Sequence, residues 1–165
     1  MHCLPFFRLD MRMGIIESAE IHPDAESLYI EKVNVGEAKP RTVISGLRRF
    51  VSLEEMQGRR AILMCNLKPS KMRGVLSEAM VMCASTPDKV EILSPPEDAQ
   101  PGDPVLVEGF DRIPDAQLNP KKKVFEACAP DLKVDGSGVA TYKGVPWTIN
   151  GGKCVAKSLV NVAVK

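Results

Sequence analysis

The chain has 165 residues, of which 44% are hydrophobic and 26% are charged, and its formal net charge is +1. These values are typical of a soluble globular protein of one or two small domains, and they exclude a protein coated in basic charge. No apolar run reaches the roughly 18 residues that cross a bilayer, and the start, MHCLPFFRLD, lacks the basic region and cleavage site of a signal peptide, so we expect no membrane partner.

The first half of the chain predicts a barrel of short strands. Runs rich in apolar and β-branched residues, bounded by turn residues, predict five strands at residues 11–22, 28–35, 41–45, 61–67 and 79–84. Ser52 followed by Glu55 fits a capping box, so a short helix is predicted over 53–57, between the third and fourth strands. This order of elements is that of the OB-fold, a five-stranded barrel whose open face and loops bind oligonucleotides.

Beyond residue 86 the pattern changes, because prolines interrupt the chain and the apolar runs become shorter. Three further elements are predicted: a strand at 89–93, one helix that begins at Asn119-Pro120 and ends at Cys128, and a hairpin of residues 139–149 and 154–160 across Asn150-Gly151-Gly152. The elements together predict a mainly β fold, in which a five-stranded OB-fold barrel is followed by a small α+β C-terminal domain.

Positive charge is concentrated in one segment of the chain. Between residues 39 and 73 there are nine cations and two acids, a balance of +7, whereas the other residues carry 13 cations and 19 acids, a balance of −6. An uneven distribution of this kind attracts a polyanion to one face of a protein. The cations of this basic segment are Lys39, Arg41, Arg48, Arg49, Arg59, Arg60, Lys68, Lys71 and Arg73.

Within the basic segment, the run NLKPSKMRG places Lys68, Lys71 and Arg73 on the connection between two predicted strands. Pro69 stiffens the start of this connection, and Gly74 lets the backbone turn. Phosphates bind where Lys or Arg side chains lie near exposed backbone amides, and about three to six such contacts can dominate binding to a nucleic acid. The alternative is a solvated loop whose cations only aid solubility.

Several neighbouring side chains are candidates for the same RNA contact. Ser77 and Glu78 open the next strand and could touch a base edge or a 2′-hydroxyl; alternatively, they cap the strand and pair with a nearby cation. Aromatic residues for base stacking are scarce, since the barrel half offers Tyr29 and Phe50, so we expect recognition of backbone and shape more than of sequence. The remaining candidates in this half are Asn66, Met80, Arg41, Arg48 and Arg49.

A second group of cations, Lys121, Lys122 and Lys123, falls in the first turn of the predicted helix. Cations at that position oppose the helix dipole. A bound anion would relieve this repulsion, so the three lysines are candidates for a second phosphate contact. The alternative is an ordinary surface helix.

The sequence predicts neither a metal site nor a catalytic one. Its five cysteines, at positions 3, 65, 83, 128 and 154, form no CxxC pair, and His2 and His22 are the only histidines. We therefore expect free thiols in a reducing cytoplasm, with no zinc site. Phosphate-binding GxxxxGK, HExxH and GxSxG motifs are also absent. We expect no cofactor and no enzymatic activity in this chain.

Residues 9–165 resemble the tRNA-binding domain of the endothelial monocyte-activating polypeptide II type. The stretches that carry the resemblance include HPDAESLYIEKVNVGE (22–37), CNLKPSKMRGVLSEAMVMCAS (65–85) and LNPKKKVFEACAPDL (118–132). In this family the domain ends an auxiliary protein of the multi-synthetase complex or is fused to a tyrosyl- or methionyl-tRNA synthetase. The resemblance places the RNA contact on Lys68, Lys71, Arg73, Ser77 and Met80.

The resemblance also implies a domain division and a function. It implies an N-terminal extension (1–8), an OB-fold tRNA-binding domain (9–108), and a C-terminal domain (109–165) that packs on the barrel as a dimer partner would, so that the domain is monomeric. The implied function is tRNA binding, largely independent of sequence, that delivers tRNA to a synthetase in the cytoplasm.

The alternative implied by the same resemblance is a cytokine-like module that acts on leukocytes or endothelium after release and secretion of a fragment. In the family this activity is ascribed to the stretch RMGIIES. The pattern of this stretch predicts a core-facing strand, which does not favour the alternative. Its residues are Arg12, Met13, Gly14, Ile15, Ile16, Glu17 and Ser18.

Overall fold

A computed structural model describes residues 5–165 and shows a mainly β protein. The strands of the barrel half are β1 (Met11–Ile21), β2 (Tyr29–Asn34), β3 (Arg41–Ser45), β4 (Arg59–Met64), β5 (Ser70–Met72), β6 (Val75–Ser77), β7 (Met80–Val81), β8 (Cys83–Ser85) and β9 (Val90–Ile92). Those that follow are β10 (Leu106–Val107), β11 (Leu132–Val134), β12 (Ala140–Tyr142), β13 (Val145–Ile149), β14 (Gly152–Lys153) and β15 (Val162–Val164). The α-helices are α1 (Leu53–Met56) and α2 (Val124–Cys128), and short 3-10 helices span Pro5–Arg8, Pro120–Lys122 and Ala129–Asp131.

The first sheet is antiparallel, with the strand order β3-β2-β1-β4-β7. Its two outer strands approach each other through the residues that precede β7: Glu78 N–H donates to the Thr42 carbonyl (2.8 Å), and the Ser77 hydroxyl accepts from Ile44 N–H (3.0 Å). The five strands therefore form a nearly closed barrel. The predicted mainly β fold with a five-stranded barrel is confirmed.

Helix α1 lies between β3 and β4, where the sequence predicted it. The Ser52 hydroxyl accepts a hydrogen bond from Glu55 N–H at 3.2 Å, as in a capping box. The helix buries Met56 completely, among side chains that include Ile16, Tyr29 and Leu63 inside the barrel. One side chain of this helix thus fills part of the barrel core.

Strands from both halves of the chain form the second sheet, whose order is β10-β13-β12-β11-β15-β8-β9, with β14 paired to β13. The last strand pairs with β8 through Ala163 with Ser85 and Val164 with Ala84. A second core lies against the outer face of the barrel and contains Met13 and Trp147, both fully buried. The predicted domain boundary between residues 108 and 109 stays a prediction, because the second sheet contains strands from both sides of this boundary.

Two predictions for the second half are wrong. Residues 119–128 do not form one helix, because Lys123 adopts a left-handed conformation (φ 49°) that separates a 3-10 turn from α2. The predicted strand 139–149 is divided by a turn at Lys143-Gly144, where both residues have positive φ. The predicted turn at Asn150-Gly151 is present, but its second strand is only β14 (Gly152–Lys153) and does not cover 154–160.

Candidate nucleic-acid interface

The run NLKPSKMRG forms a hairpin that the sequence did not predict. β5 pairs with β6, and Met72 lies opposite Val75, so Arg73 and Gly74 are the two residues of the turn. Their φ angles are 53° and 87°. A two-residue turn with positive φ at both positions is of type I′, which matches the twist of the flanking strands. The three cations of the run therefore lie on and beside a defined hairpin.

The hairpin presents its cations to solvent. Lys68, Lys71 and Arg73 are exposed, and none of the three forms a side-chain hydrogen bond or salt bridge within residues 5–165. The turn end of the hairpin is held to the neighbouring turn at residues 22–25 by His22, whose Nε2 lies 3.2 Å from the Met72 carbonyl oxygen. A fixed backbone thus carries three cations that are available to an external anion.

Arg49 extends this basic surface beyond the hairpin. Arg49 and Arg73 both line an open cleft of 560 Å³ beside the turn at residues 23–28. Arg48 is also exposed, but its guanidinium donates to the Glu26 carbonyl oxygen (2.9 Å). The adjacent Phe50 is 40% exposed. The loop that follows β3 therefore adds a free cation and an accessible aromatic ring.

The other aromatic candidate of the barrel half is not available for base stacking. Tyr29 is 2% exposed, and its hydroxyl donates to the Val51 carbonyl oxygen at 2.7 Å. It belongs to the barrel core. Base stacking in this half of the chain would therefore fall to Phe50.

The Arg41 side chain forms hydrogen bonds within the protein and is not free as the hairpin cations are. Its guanidinium forms two hydrogen bonds with the Glu37 carboxylate, at 2.8 and 2.7 Å. It also donates to the carbonyl oxygens of Cys65 (2.5 Å) and Glu78 (3.0 Å). The hydrogen bond from Arg41 holds the pKa of Glu37 below its ordinary value. Arg41 thus fastens β3 to the segments that flank the hairpin.

Three further candidates use their side chains inside the protein. The Asn66 amide is buried: its oxygen accepts from Asp10 N–H (3.0 Å), and its nitrogen donates to the carbonyls of Arg8 (2.8 Å) and Asp115 (2.9 Å). Glu78 Oε1 accepts from Thr42 N–H at 2.9 Å. Ser77, already described, contributes to the same closure of the barrel. These side chains position the hairpin.

Of Lys121, Lys122 and Lys123, the structure places only Lys123 at an α-helical N-terminus, as the residue directly before α2. All three are exposed on the 3-10 turn and at its end, where the Asn119 side chain accepts from Lys121 N–H at 3.0 Å. Because a 3-10 turn and a helix of five residues have little dipole, the helix dipole gives weak support to an anion site here, and the second phosphate contact stays a prediction. None of the three lines the clefts beside the hairpin.

The stretch from Arg12 to Ser18 lies in the centre of the barrel sheet. Its strand pairs with β2 on one side and β4 on the other. Met13 and Ile16 are fully buried, and Arg12 forms salt bridges with Asp10 and Glu37. Gly14 is also buried and Ile15 half-buried, so that only the last two residues of the stretch, Glu17 and Ser18, are exposed.

A cavity of 330 Å³ opens at the base of the hairpin. Met80, which the sequence analysis singled out, lines it together with Lys68 and Ser77, and Lys165 contributes from the C-terminal end. No local pattern marks Lys165, because its position depends on the pairing of β15 with β8 at the far end of the chain. The structure thus adds a second lysine, besides Lys68, to the lining of the cavity.

Behind the cavity lies a buried carboxyl group, that of Glu31. Its Oε2 accepts a hydrogen bond from the Ser45 hydroxyl (2.5 Å), whereas Oε1 has no partner among the described residues. Burial raises the pKa of Glu31 to about 8, so the group is mostly protonated at neutral pH. It therefore adds little negative charge to the interior of the barrel.

Comparison with known families identifies the family of this chain. Residues 11–104 match the family described as a putative tRNA binding domain. The chain belongs to this tRNA-binding domain family. The match covers the barrel and the hairpin that carries Lys68, Lys71 and Arg73. The family is named for binding tRNA and not for a reaction, which agrees with the expectation that this chain is not an enzyme.

Relatives of this tRNA-binding domain occur within longer proteins. The chain is 57% identical over 159 residues to the mouse aminoacyl tRNA synthase complex-interacting multifunctional protein 1, covering 96% of this chain and 51% of the relative. It is 55% identical over 159 residues to the cytoplasmic methionine–tRNA ligase of Caenorhabditis elegans, covering 96% of this chain and 17% of the relative. The chain therefore spans about half, or less, of these relatives.

A solved structure extends the match to the C-terminal half. The C-terminal domain of Plasmodium vivax p43 superposes with a TM-score of 0.91 at 35% sequence identity, covering 97% of this chain and 98% of that one. Both sheets of this tRNA-binding domain are thus found together in a solved relative. Within residues 5–165, no helix is long and apolar enough to cross a membrane.

Proposed function

We propose that this chain is a non-catalytic module that binds tRNA through the basic hairpin, largely independently of sequence. The observation that carries the proposal is the group of exposed cations, Lys68, Lys71 and Arg73, on a two-residue hairpin of a domain that belongs to the tRNA-binding family. Phosphate contacts of this kind supply affinity without reading bases. Arg49 lies on the same surface and extends the contact.

The turn of the hairpin supports a functional role for its arginine. Arg73 has a φ of 53°, a conformation that costs a non-glycine residue about 1–2 kcal/mol. Asn is the residue that best tolerates this position in a type I′ turn. A cation held at a strained position without an internal partner in residues 5–165 is consistent with selection for an external contact.

The charge balance fits a local and salt-sensitive contact. The net charge of +1 means that the molecule as a whole does not attract nucleic acid. Binding would depend on a few phosphates that meet the hairpin, and each neutralised phosphate would release condensed counterions. The paucity of exposed aromatic side chains in the barrel half limits base readout, so that tRNA shape and backbone would dominate recognition.

The names of the relatives suggest the biological setting. One is a synthase complex-interacting protein, and another is a cytoplasmic methionine–tRNA ligase. By analogy, this domain would deliver tRNA to a synthetase in the cytoplasm, either as a fused domain or as part of a complex. The structure of the stretch from Arg12 to Ser18 does not favour the cytokine-like alternative, because most of this stretch is enclosed in the sheet.

The experiment that tests tRNA binding is a salt titration of affinity. Changing Lys68, Lys71 and Arg73 to Ala together should weaken tRNA binding about a hundredfold, since each exposed contact contributes roughly 1 kcal/mol. The slope of log K against log salt should become shallower by about 2 to 3, because three phosphate contacts are lost.

A matched control removes the same charge from the second sheet. Lys133, Lys143 and Lys153 are exposed residues of the C-terminal half, and their triple change to Ala should leave the slope within about one unit of the wild-type value. Equal slopes in wild type and hairpin variant would contradict the assignment of the site. Failure of the wild-type protein to bind tRNA at low salt would contradict the function itself.

We also propose that the OB-fold domain spans residues 9–108. Residues 109–165 would then cover a face of the barrel that a second subunit would otherwise cover. Met13, Met64 and Met82 belong to the barrel half but are fully buried in the core that contains Trp147. A chain ending at residue 108 would expose these side chains and should self-associate in analytical ultracentrifugation, whereas the full chain sediments as a monomer. A dimeric full chain would contradict this proposal.

A further inference from the structure

The cavity at the base of the hairpin has apolar walls and a limited size. It lies between the end of β3, the hairpin and β7, and its volume is 330 Å³. Small-molecule sites in proteins usually have volumes of about 300–1,000 Å³, so this cavity is large enough for one small group. The walls are aliphatic and thioether side chains, chiefly Leu47, Leu67, Met72, Met80 and Val90.

The charges around this cavity differ from those of the other clefts. Lys68 and Lys165 line it, and no Asp or Glu does. Four other clefts in the described part of the chain each include at least one carboxylate, such as Glu37 or Asp88. The Glu31 carboxyl group is bonded to Ser45, which lines the cavity, and it is mostly protonated at neutral pH. An apolar cavity whose charged side chains are lysines suits a ligand that is apolar in its body and anionic at its edge.

We propose that this cavity receives one unpaired nucleobase of the bound RNA, while phosphates next to that nucleotide contact Lys68 and Lys165. The inference rests on the proposed function and adds to it the place of a base and a contact from the C-terminal end. Proteins commonly bind single-stranded RNA by removing a base from its stack and packing its face against side chains. A base fits within this volume, and its apolar faces and the adjacent phosphate charge match the apolar walls and the two lysines.

The two buried hydroxyls of the wall, those of Ser45 and Ser77, give little means of reading the base edge, and the third hydroxyl, that of Ser70, belongs to an exposed residue. The Ser45 hydroxyl donates to Glu31. The Ser77 hydroxyl accepts from Ile44 N–H and donates to the Ala79 carbonyl oxygen (3.0 Å). Both hydroxyls are therefore occupied before any ligand arrives. The site should accept purines and pyrimidines with similar affinity, as expected of a domain that binds tRNA largely independently of sequence.

Methionine methyl groups provide a direct test in solution. Met72 and Met80 line the cavity, whereas Met11 and Met56 are buried elsewhere in the cores. In protein labelled at the methionine methyls, adenosine 5′-monophosphate should shift the NMR signals of Met72 and Met80 through the ring current of the base. The signals of Met11 and Met56 should not move, and inorganic phosphate should leave all four in place.

Two outcomes of the NMR titration would overturn the inference. Equal shifts with inorganic phosphate would show that only the charge is recognised. Shifts at Met72 and Met80 produced by N-acetyl-leucine amide at lower concentration than by the nucleotide would assign the cavity to a protein side chain and not to a base.

Filling the cavity tests its role in tRNA binding. Gly46 and Ala79 both line the cavity, and a Cβ atom added at Gly46 would meet no heavy atom closer than 3.9 Å. Gly46→Leu and Ala79→Leu should each abolish the nucleotide-induced methyl shifts and weaken tRNA binding about tenfold. The salt slope should stay at the wild-type value, because no cation is removed.

Gly136→Leu is the control for added bulk, since a Cβ at Gly136 also makes only ordinary contacts, the nearest at 3.6 Å, and Gly136 does not line the cavity. Wild-type tRNA affinity in both cavity variants would overturn the nucleobase inference while leaving tRNA binding through the hairpin intact. Failure of the wild-type protein to bind tRNA would instead contradict the proposed function.

Discussion

Arg59 and Arg60 belong to the same basic segment as Lys68, Lys71 and Arg73, but the two groups differ in what they contact. The Arg60 guanidinium donates to the carbonyl oxygens of Pro96 (2.8 Å), Glu97 (3.1 Å) and Ala99 (2.8 Å). Arg59 donates to those of Arg60 (2.7 Å) and Ile92 (2.9 Å) and to the Ser94 hydroxyl (3.1 Å). The hairpin cations bond to no residue in the described part of the chain.

The difference shows that local charge in a sequence does not measure the charge available to a ligand. Burial lowers the pKa of Arg59 below its ordinary value, which is the mark of a cation drawn into the protein. A guanidinium can serve several carbonyl oxygens at once because its donors are fixed in a plane. Arginines at the start of β4 therefore fasten the segment after β9, whereas the cations of the hairpin stay accessible to a ligand.

Replacement of Arg60 should give the largest effect on stability. Arg60→Ala removes donors from three carbonyls, among them that of the fully buried Ala99. Hydrogen bonds from charged groups contribute about 1.5–3 kcal/mol each, and since these share one nitrogen we expect a loss of about 3 kcal/mol in the free energy of unfolding. Urea denaturation measures this loss.

Arg48→Ala is the control for loss of charge, because Arg48 is exposed and its side chain forms one hydrogen bond, with Glu26. It should lower the free energy of unfolding by less than about 1 kcal/mol. The hairpin triple variant should likewise unfold close to the wild-type midpoint. If that variant proved as unstable as Arg60→Ala, the contrast between the two groups of cations would be wrong.

The sequence predicted those parts of the fold that depend on neighbouring residues. The barrel strands follow runs of apolar residues, and the cap of α1 needs only Ser52 and Glu55. Gly74 was expected to turn the backbone, and it does so with a φ of 87°. Each of these features is encoded within a few positions, where propensity and periodicity act.

Features that depend on contacts between distant residues could not be predicted in this way. Arg60 bonds to carbonyls 36 to 39 positions away, and Asn66 bonds to residues up to 58 positions away. No local pattern marks such partners. The same limit applies to the hydrogen bonds of Ser77 and to the position of Lys165, since both are set by the closing of sheets.

The buried carboxyl group of Glu31 differs from the two groups of cations, because it is an acid that pairs with no cation among the described residues. Its pKa of about 8 lies above the ordinary value of 4.5, so between these values the folded protein keeps a proton that the unfolded chain releases. Stability should therefore fall as pH rises, by about 1.4 kcal/mol per unit. Between pH 5.5 and 7 this amounts to about 2 kcal/mol.

Glu31→Met tests this titration, because Met occupies a similar volume and cannot ionise. The difference in the free energy of unfolding between variant and wild type should shift in favour of the variant by about 2 kcal/mol from pH 5.5 to 7. Urea denaturation at the two pH values measures the shift. A difference independent of pH would show that Glu31 ionises as readily in the fold as in the unfolded chain.

The smallest expected effect separates the turn of the hairpin from its charge. Arg73-Gly74 and Lys143-Gly144 are both two-residue turns with positive φ, and Asn is better suited than Arg or Lys to the first position. Arg73→Asn and Lys143→Asn should each raise the free energy of unfolding by up to about 1 kcal/mol. Only Arg73→Asn should weaken tRNA binding, about fivefold, with a salt slope shallower by about one unit.

Lys143→Asn is therefore a control for both turn geometry and net charge, since it makes the same exchange in the second sheet. Equal tRNA affinity in the two variants would remove Arg73 from the RNA contact and leave Lys68 and Lys71 to carry it. Loss of stability in Arg73→Asn, with gain in Lys143→Asn, would show instead that the Arg73 side chain stabilises the hairpin. In that case its left-handed conformation would have a structural cause, and the argument from strain to RNA binding would not hold.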